Sequence, residues 1–330
     1  MNSNDHTLQD AEQFKHHFSA LKKEIQKVIV GQDEIIDLLL ISLFSKGHCL
    51  LVGVPGLAKT LLIKTLADAL NLDFSRIQFT PDLMPGDVTG TEVVEENKEE
   101  GTKAFRFIRG PIFANILLAD EINRTPPKTQ SALLEGMQEY QITASGKTYP
   151  LDVPFFVLAT QNPIEQEGTY PLPEAQLDRF MFQLWIDYPT IEQEKSIVQH
   201  TTRSSNYKTS IQISKEELLT YQELILEVPI PSSVLDYAIE LVASTRPQKN
   251  ASDSISNRYL SWGAGPRASQ YLILAAKTKA LAEGRFNITE DDIRYLAVPV
   301  LRHRIIPNYA AEAEGLTSVE IINKLLEAIK

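Results

Sequence analysis

The stretch "GVPGLAKT", Gly53 to Thr60, constrains this chain more than any other. A glycine-rich turn ending in Lys-Thr binds phosphate when it joins a buried strand to a helix. Both flanks fit. "HCLLVG" before it is almost wholly apolar, as a strand buried on both faces of a parallel sheet is. "KTLLIKTLADAL" after it has helical spacing. Backbone N–H groups of such a turn, with the following helix N-terminus, make a nest for phosphate. The expected nucleotide-binding residues are Gly53, Val54, Pro55, Gly56, Leu57, Ala58, Lys59, Thr60 and Leu61. Lys59 would neutralise the β- and γ-phosphates of ATP, and Thr60 would ligate Mg²⁺. The usual pattern, G-x-x-x-x-G-K-[ST], has Ala58 in place of its second fixed glycine. A residue entering a right-handed helix needs no positive φ, so a methyl is expected to be tolerated there. The sharp turn is assigned to Gly53 and Gly56.

Three later stretches carry the remaining chemistry. "ILLADE" reads as a buried strand ending in Asp120 and Glu121, which places two carboxylates at the ligand edge of an open α/β sheet. Asp120 would hold Mg²⁺ through water, and Glu121 would act as general base on the attacking water. "LATQNP" ends a third apolar strand in Asn162, whose amide could bond both γ-phosphate and water; the plain alternative is an Asn-Pro turn. Arg179 in "LPEAQLDRF" and Arg267 in "GPRAS" could each stabilise charge on the γ-phosphate. The alternatives are an ion pair of Arg179 with Asp178 and a solvent-exposed Arg267. An arginine at a helix N-terminus opposes the helix dipole, which hints at a nearby anion.

The pattern along the chain is a parallel α/β sheet with helices on both faces, followed by a smaller all-helical domain. The first part is expected over 1–189 and the second over 190–330. Helical spacing runs through Phe14, Phe18, Leu21, Ile25 and Val28. A turn at Gly31 opens a second helix that Gly47 ends. "TPDLMPGDVTG" is rich in turn formers. A hairpin with a charged tip near Asn97 to Gly101 and a second with its turn at Ser145-Gly146 are expected within 82–110 and 141–153. Ser214 with Glu217 forms a capping box, and Thr289 opens a helix in the same way. The polar stretch 247–259 reads as a loop.

Composition bounds the alternatives. Charged residues make up 23% and hydrophobic residues 43%, ordinary values for a globular chain of 330 residues. The net charge of −11 argues against a chain that wraps nucleic acid or lies on anionic lipid. The single Cys49, in an apolar run, reads as a buried thiol. The six histidines show no metal-ligand spacing. Trp185 and Trp262 are assigned to packing. No apolar run reaches membrane-spanning length and the polar start is no signal peptide, so a cytoplasmic location is expected.

Together the "VGQ" box at Val30, Gly31 and Gln32, "GVPGLAKT", "ILLADEINRTPPKTQSALLEGMQE", "ATQNP", "LPEAQLDRF" and "GPRAS" resemble the MoxR family of AAA+ ATPases over nearly all of the chain. MoxR-like proteins often carry alanine at the position of Ala58. The resemblance implies an adenine contact for the "VGQ" box and a sensor 1 role for Asn162. It implies a finger role toward a neighbouring subunit for Arg179 and a sensor 2 role for Arg267, in cis or in trans. It further implies a homo-oligomeric ring, a hexamer, whose hairpin inserts face a central pore. The implied work is remodelling or maturation of protein clients, often with a von Willebrand factor A domain. Other functions stay open: a nucleic-acid motor, a metal-chelatase-type motor subunit, or a nucleotide-gated scaffold with little turnover. The first hairpin tip is mainly acidic and the second carries only Lys147, which disfavours nucleic acid.

Overall fold

The computed structural model describes residues 3–97, 102–164, 168–202, 209–248 and 254–329. Helices α1 (Ser3–Gln26) and α2 (Asp33–Phe44) lead into strand β1 (Cys49–Gly53), the phosphate-loop turn and α3 (Lys59–Ala69). Strand β2 (Phe74–Gln78) follows, then α4 (Pro85–Thr89) and the hairpin β3 (Gly90–Asn97) and β4 (Thr102–Arg109). The turn-rich "TPDLMPGDVTG" thus contains a short helix, started by Pro85 and by Asp87 accepting from the Met84 N–H. Residues 98–101, the expected charged tip, lie outside the described residues. Next come β5 (Ile116–Asp120), α5 (Pro127–Glu139), the hairpin β6 (Gln141–Ala144) and β7 (Lys147–Pro150), β8 (Phe156–Gln161), α6 (Glu174–Leu177) and β9 (Phe182–Ile186). Ser145 and Gly146 both have positive φ, as a two-residue hairpin turn demands.

Five strands form one parallel sheet in the order β2-β5-β8-β1-β9. Alternation along each strand assigns its residues to two layers. Cys49, Leu51, Ile116, Leu118, Phe156, Leu158, Phe182 and Leu184 face one buried cluster, shared with α1, α2 and α3. Leu50, Val52, Leu117, Ala119, Val157 and Ala159 face the other, under α4, α5 and the β6–β7 hairpin. Burial on both faces is why these strands read as unbroken apolar runs. Edge strand β9 departs from this. Its Trp185 points away from the helical layer and is half exposed, with the Arg302 guanidinium 5.1 Å over the ring. Trp262 is 65% exposed. A core position is therefore excluded for both tryptophans, while Trp185 packs against Arg302.

The rest of the chain is helical: α7 (Ile191–Thr201), α8 (Lys215–Glu227), α9 (Ser232–Ser244), α10 (Ile255–Tyr259), α11 (Pro266–Ala282), α12 (Glu290–Leu301), α13 (Tyr309–Ala313) and α14 (Ser318–Ala328). A two-stranded ribbon, β10 (Leu260–Trp262) with β11 (Ile306–Pro307), joins them. The expected loop at 247–259 is in part helix α10, because the Ser254 hydroxyl accepts from the Asn257 N–H and caps it; residues 249–253 lie outside the described residues. The capping boxes at Ser214 and Thr289 form, the second with Asp292. Central to this part is α11, whose Leu272, Ala275, Ala276 and Leu281 are buried in the same cluster as α1 and α2. The lid helices and one face of the sheet therefore share continuous apolar packing.

His48 closes the sheet at the end opposite the loop. Its Nδ1 accepts the Val157 N–H at 3.1 Å and its Nε2 lies 3.0 Å from Met137 O, which makes Nε2 the protonated nitrogen. Burial pushes its pKa down to about 4. The unfolded chain binds this proton near pH 6.5 and the folded chain only near 4, so stability is present above 6.5 and lost as pH falls through that window. The expected loss is up to about 3 kcal/mol. His303, driven well below its ordinary range by burial, adds to the slope. Urea unfolding between pH 7 and 4 should show the decline, and His48→Gln should flatten part of it.

Candidate active site

The parallel register sets the site. Val52 of β1 pairs with Gln161, Ala119 of β5 pairs with Ala159, and Gln78 of β2 pairs with Asp120. Strands β1, β2, β5 and β8 therefore end at one edge, and a cleft of about 530 Å³ opens there. Pro55, Gly56, Ala58, Lys59, Thr60 and Leu61 line it from the loop; Asp120, Glu121 and Asn162 line it from the strand ends. The loop, both acids and the amide that the sequence marked thus meet in one place.

The loop differs in detail from expectation. Gly53 is the last residue of β1 rather than a turn residue; a Cβ there would collide with Ile186, within 2.7 Å of its carbonyl oxygen. Close approach of β9 requires this glycine. Gly56 takes φ +86° and faces open space. Ala58 takes φ 55°, ψ 24°, the left-handed region, and stands at the cap of α3. The methyl is therefore not strain-free, correcting the expectation that no positive φ is needed. A left-handed residue here turns the chain from the loop into the helix, a step glycine makes at less cost. Lys59 donates from Nζ to Gly53 O across the loop. Burial lowers its pKa, while Asp120 and Glu121 pull it back up.

The two acids are held by residues that the sequence did not mark. Thr160 donates to Asp120 Oδ1 at 2.6 Å, and its hydroxyl accepts the Glu121 N–H at 2.9 Å. Arg76 pairs with Asp120 Oδ2 at 2.6 Å. Gln78 donates to Glu121 Oε2 at 3.0 Å, and Arg124 lies 3.1 Å from the same oxygen. Glu121 lies just beyond β5, with φ 57°, so its carboxylate leaves the strand direction and enters the cleft. Buried Gln130 donates from Nε2 to Ile122 O and Thr125 O, with Tyr170 O also 3.3 Å away, which fixes the turn after the acids. Period two was the available signal. Arg76 and Gln78 are two apart and share a face of β2, and Thr160 lies two before the marked Asn162, which follows β8. The Asn162 Oδ1 accepts the Ile164 N–H at 3.1 Å, so the amide also makes the local turn that was its plain alternative.

The "VGQ" box stands on the far side of β9. Val30, Gly31, Gln32, Trp185, Ile186, Tyr188 and Gln193 line a pocket of about 210 Å³, and Ile186 connects it to Gly53. The Gln32 Oε1 is buried without a hydrogen-bond partner among the described residues. Neither Arg179 nor Arg267 lines the loop cleft. Arg267 is paired, with Nη1 2.8 Å from Asp178 Oδ2, rather than standing alone in solvent. The expected alternative for Arg179, a pair with Asp178, does not form; Asp178 binds Arg267 and Arg304 instead.

Cys49 is buried, and its pKa is pushed up to about 12 by desolvation, so it is an inert thiol. Among the described residues no group of three His, Cys, Asp or Glu could hold a metal, and no helix is long and apolar enough to cross a membrane.

A five-stranded parallel sheet with a phosphate loop, an acid pair and a following helical lid defines an AAA+ P-loop ATPase. The family model described as "ATPase family associated with various cellular activities (AAA)" matches residues 48–182, and that of the AAA lid domain matches 252–325. Chaperone MoxR1 of Mycobacterium tuberculosis is 43% identical over 306 residues, covering 93% of this chain and 80% of that protein. Protein MoxR of Paracoccus denitrificans is 29% identical, over 91% of this chain and 92% of its own. A crystal structure from Cytophaga hutchinsonii, solved as a candidate ATPase, superposes with a TM-score of 0.89 at 44% identity, covering 98% of this chain and 97% of that one. The chain belongs to the MoxR family of AAA+ ATPases.

Two substitutions check the loop geometry. Ala58→Gly should raise unfolding free energy by up to about 1 kcal/mol, since it relieves a left-handed alanine. Gly53→Ala should lower it by about 1–3 kcal/mol through overpacking against Ile186. Denaturant midpoints of the two variants should therefore move in opposite directions.

Proposed function

We propose that this protein hydrolyses ATP with Mg²⁺ and uses the energy to remodel or mature protein partners as a chaperone. The observation that carries the reading is the convergence of Lys59, Thr60, Asp120, Glu121 and Asn162 on one cleft at the ligand edge of a parallel sheet.

The residues fit the nucleotide and its metal. Gly56 leaves open space where a side chain would fill the phosphate cradle. The Thr60 hydroxyl and the Asp120 carboxylate are hard oxygen donors, the kind Mg²⁺ takes. The metal, when bound, supplies charge neutralisation of the β- and γ-phosphates. Lys59 adds positive charge beside them. Glu121 accepts the proton of the attacking water, and Asn162 orients that water against the γ-phosphate. Thr160, Gln78 and Arg124 fix the two carboxylates, so that catalysis is positioning and charge stabilisation.

Arg179 and Arg267 stand outside the subunit's own cleft and share Asp178's neighbourhood, which favours action on the nucleotide of an adjacent subunit. This makes the active form an oligomeric ring, a hexamer by family pattern. The client is a protein, with a von Willebrand factor A domain by the same pattern. The name of the Mycobacterium tuberculosis relative, Chaperone MoxR1, supports the chaperone reading.

ATPase rate per subunit should climb with protein concentration as rings assemble; a flat rate would overturn the shared site. Glu121→Gln should bind ATP and stall, and wild-type turnover in it would place the base elsewhere. Arg179→Ala should keep ATP affinity in a filter-binding assay and lose about a thousandfold or more in turnover.

A further inference from the structure

A dense polar contact of the lid with the α/β part falls beside Arg179. Arg304 follows α12 and is almost wholly buried. Its guanidinium donates from Nε to Asp178 Oδ1 at 2.8 Å. From Nη2 it reaches Asp178 O at 2.8 Å and Phe180 O at 2.7 Å; from Nη1 it reaches Met181 O at 3.3 Å and Val300 O. One lid side chain thus holds backbone on both sides of Arg179. A second lid residue, Tyr271, donates its hydroxyl to Arg179 O at 3.1 Å, and the Arg304 guanidinium lies 5.2 Å over its ring. The remaining carboxylate oxygen of Asp178 binds Arg267 at 2.8 Å. The Arg179 guanidinium makes no ion pair or hydrogen bond among the described residues.

We propose that Arg304 and Asp178 are positioning residues that lock Arg179 and Arg267 into one rigid pair presented to the neighbouring subunit's nucleotide. The inference rests on the reading that these arginines act in trans. The cost of burying a guanidinium argues for it. Such a group is held inside only with nearly every donor satisfied, and a hydrophobic side chain would pack the same space more cheaply. The arrangement uses that cost to fix the segment 178–181, while leaving the Arg179 head without a competing acidic partner. Asp178 neutralises Arg304 and aims Arg267 with the same carboxylate. Any lid movement relative to the sheet is then transmitted to both arginines at once.

Subunit mixing tests this. Asp178→Asn keeps the shape and removes the charge; Arg304→Lys keeps a charge and loses the fork of donors. Each should lose about ten- to a hundredfold in ATPase turnover through misplacement of the trans pair. ATP affinity, read on the same preparations, should stay within about twofold, because the variant's own cleft is intact. Mixing either variant with Glu121→Gln subunits should restore turnover, since intact clefts then meet intact arginine edges. Arg179→Ala mixed with Glu121→Gln is the reference. Wild-type turnover in Asp178→Asn and Arg304→Lys would overturn the inference. So would loss of turnover without rescue while the Arg179→Ala reference is rescued, because that marks a folding defect. If the reference itself is not rescued, the trans reading falls, and the inference with it.

Discussion

Parallel pairing of β5, β8 and β1 is the constraint on which the rest depends. Parallel strands exit the sheet at one edge, so every residue that follows a strand is delivered to the same side. The register then sets depth. Gly53 and Asp120 end β1 and β5, Asn162 follows the end of β8 between them, and the pairing of Ala119 with Ala159 sets Thr160 beside the acids. Thr160 exploits that proximity. One hydroxyl orients the Asp120 carboxylate and anchors the Glu121 N–H, which holds Glu121 in a left-handed conformation that the isolated dipeptide would disfavour. The ladder thus supplies coarse placement, and side-chain bonds between adjacent strands supply the fine orientation.

The same sheet also positions what lies away from the cleft. Strand β9 passes so close to β1 that only glycine fits at position 53, and its Ile186 reaches the pocket of Val30, Gly31 and Gln32 on the other side. The loop and the "VGQ" pocket are therefore two sides of one strand contact. At the edge beyond β9, buried Arg304 ties the lid to the segment around Arg179. Lid and sheet share apolar packing, but packing is non-directional; the arginine with its fan of carbonyl acceptors gives that contact its angular definition.

Much of the site is legible in the sequence. Lys59, Thr60, Asp120, Glu121 and Asn162 can be read because local chemistry marks them: a loop signature, and polar residues that abruptly end apolar strands. The helical lid can be read from capping boxes and period. Arg76, Gln78, Thr160 and Arg124 cannot, since each matters through a partner on another strand or turn. A polar residue at a strand end looks the same whether it faces solvent or an acid on the next strand. The exposure of Trp185 is not legible either: β9 reads as an apolar strand, yet it lies at the sheet edge and leaves Trp185 half exposed.

By itself the sequence determined the class of chemistry and the order of the elements, because strand, loop and helix signatures are local and need no partner. Tertiary structure decided the backbone state of Ala58, the reason for Gly53, the grip on the two acids and the partners of Asp178. Each of these depends on which strand or helix lies alongside, and that is fixed only when the sheet closes its register and the lid docks on its buried face.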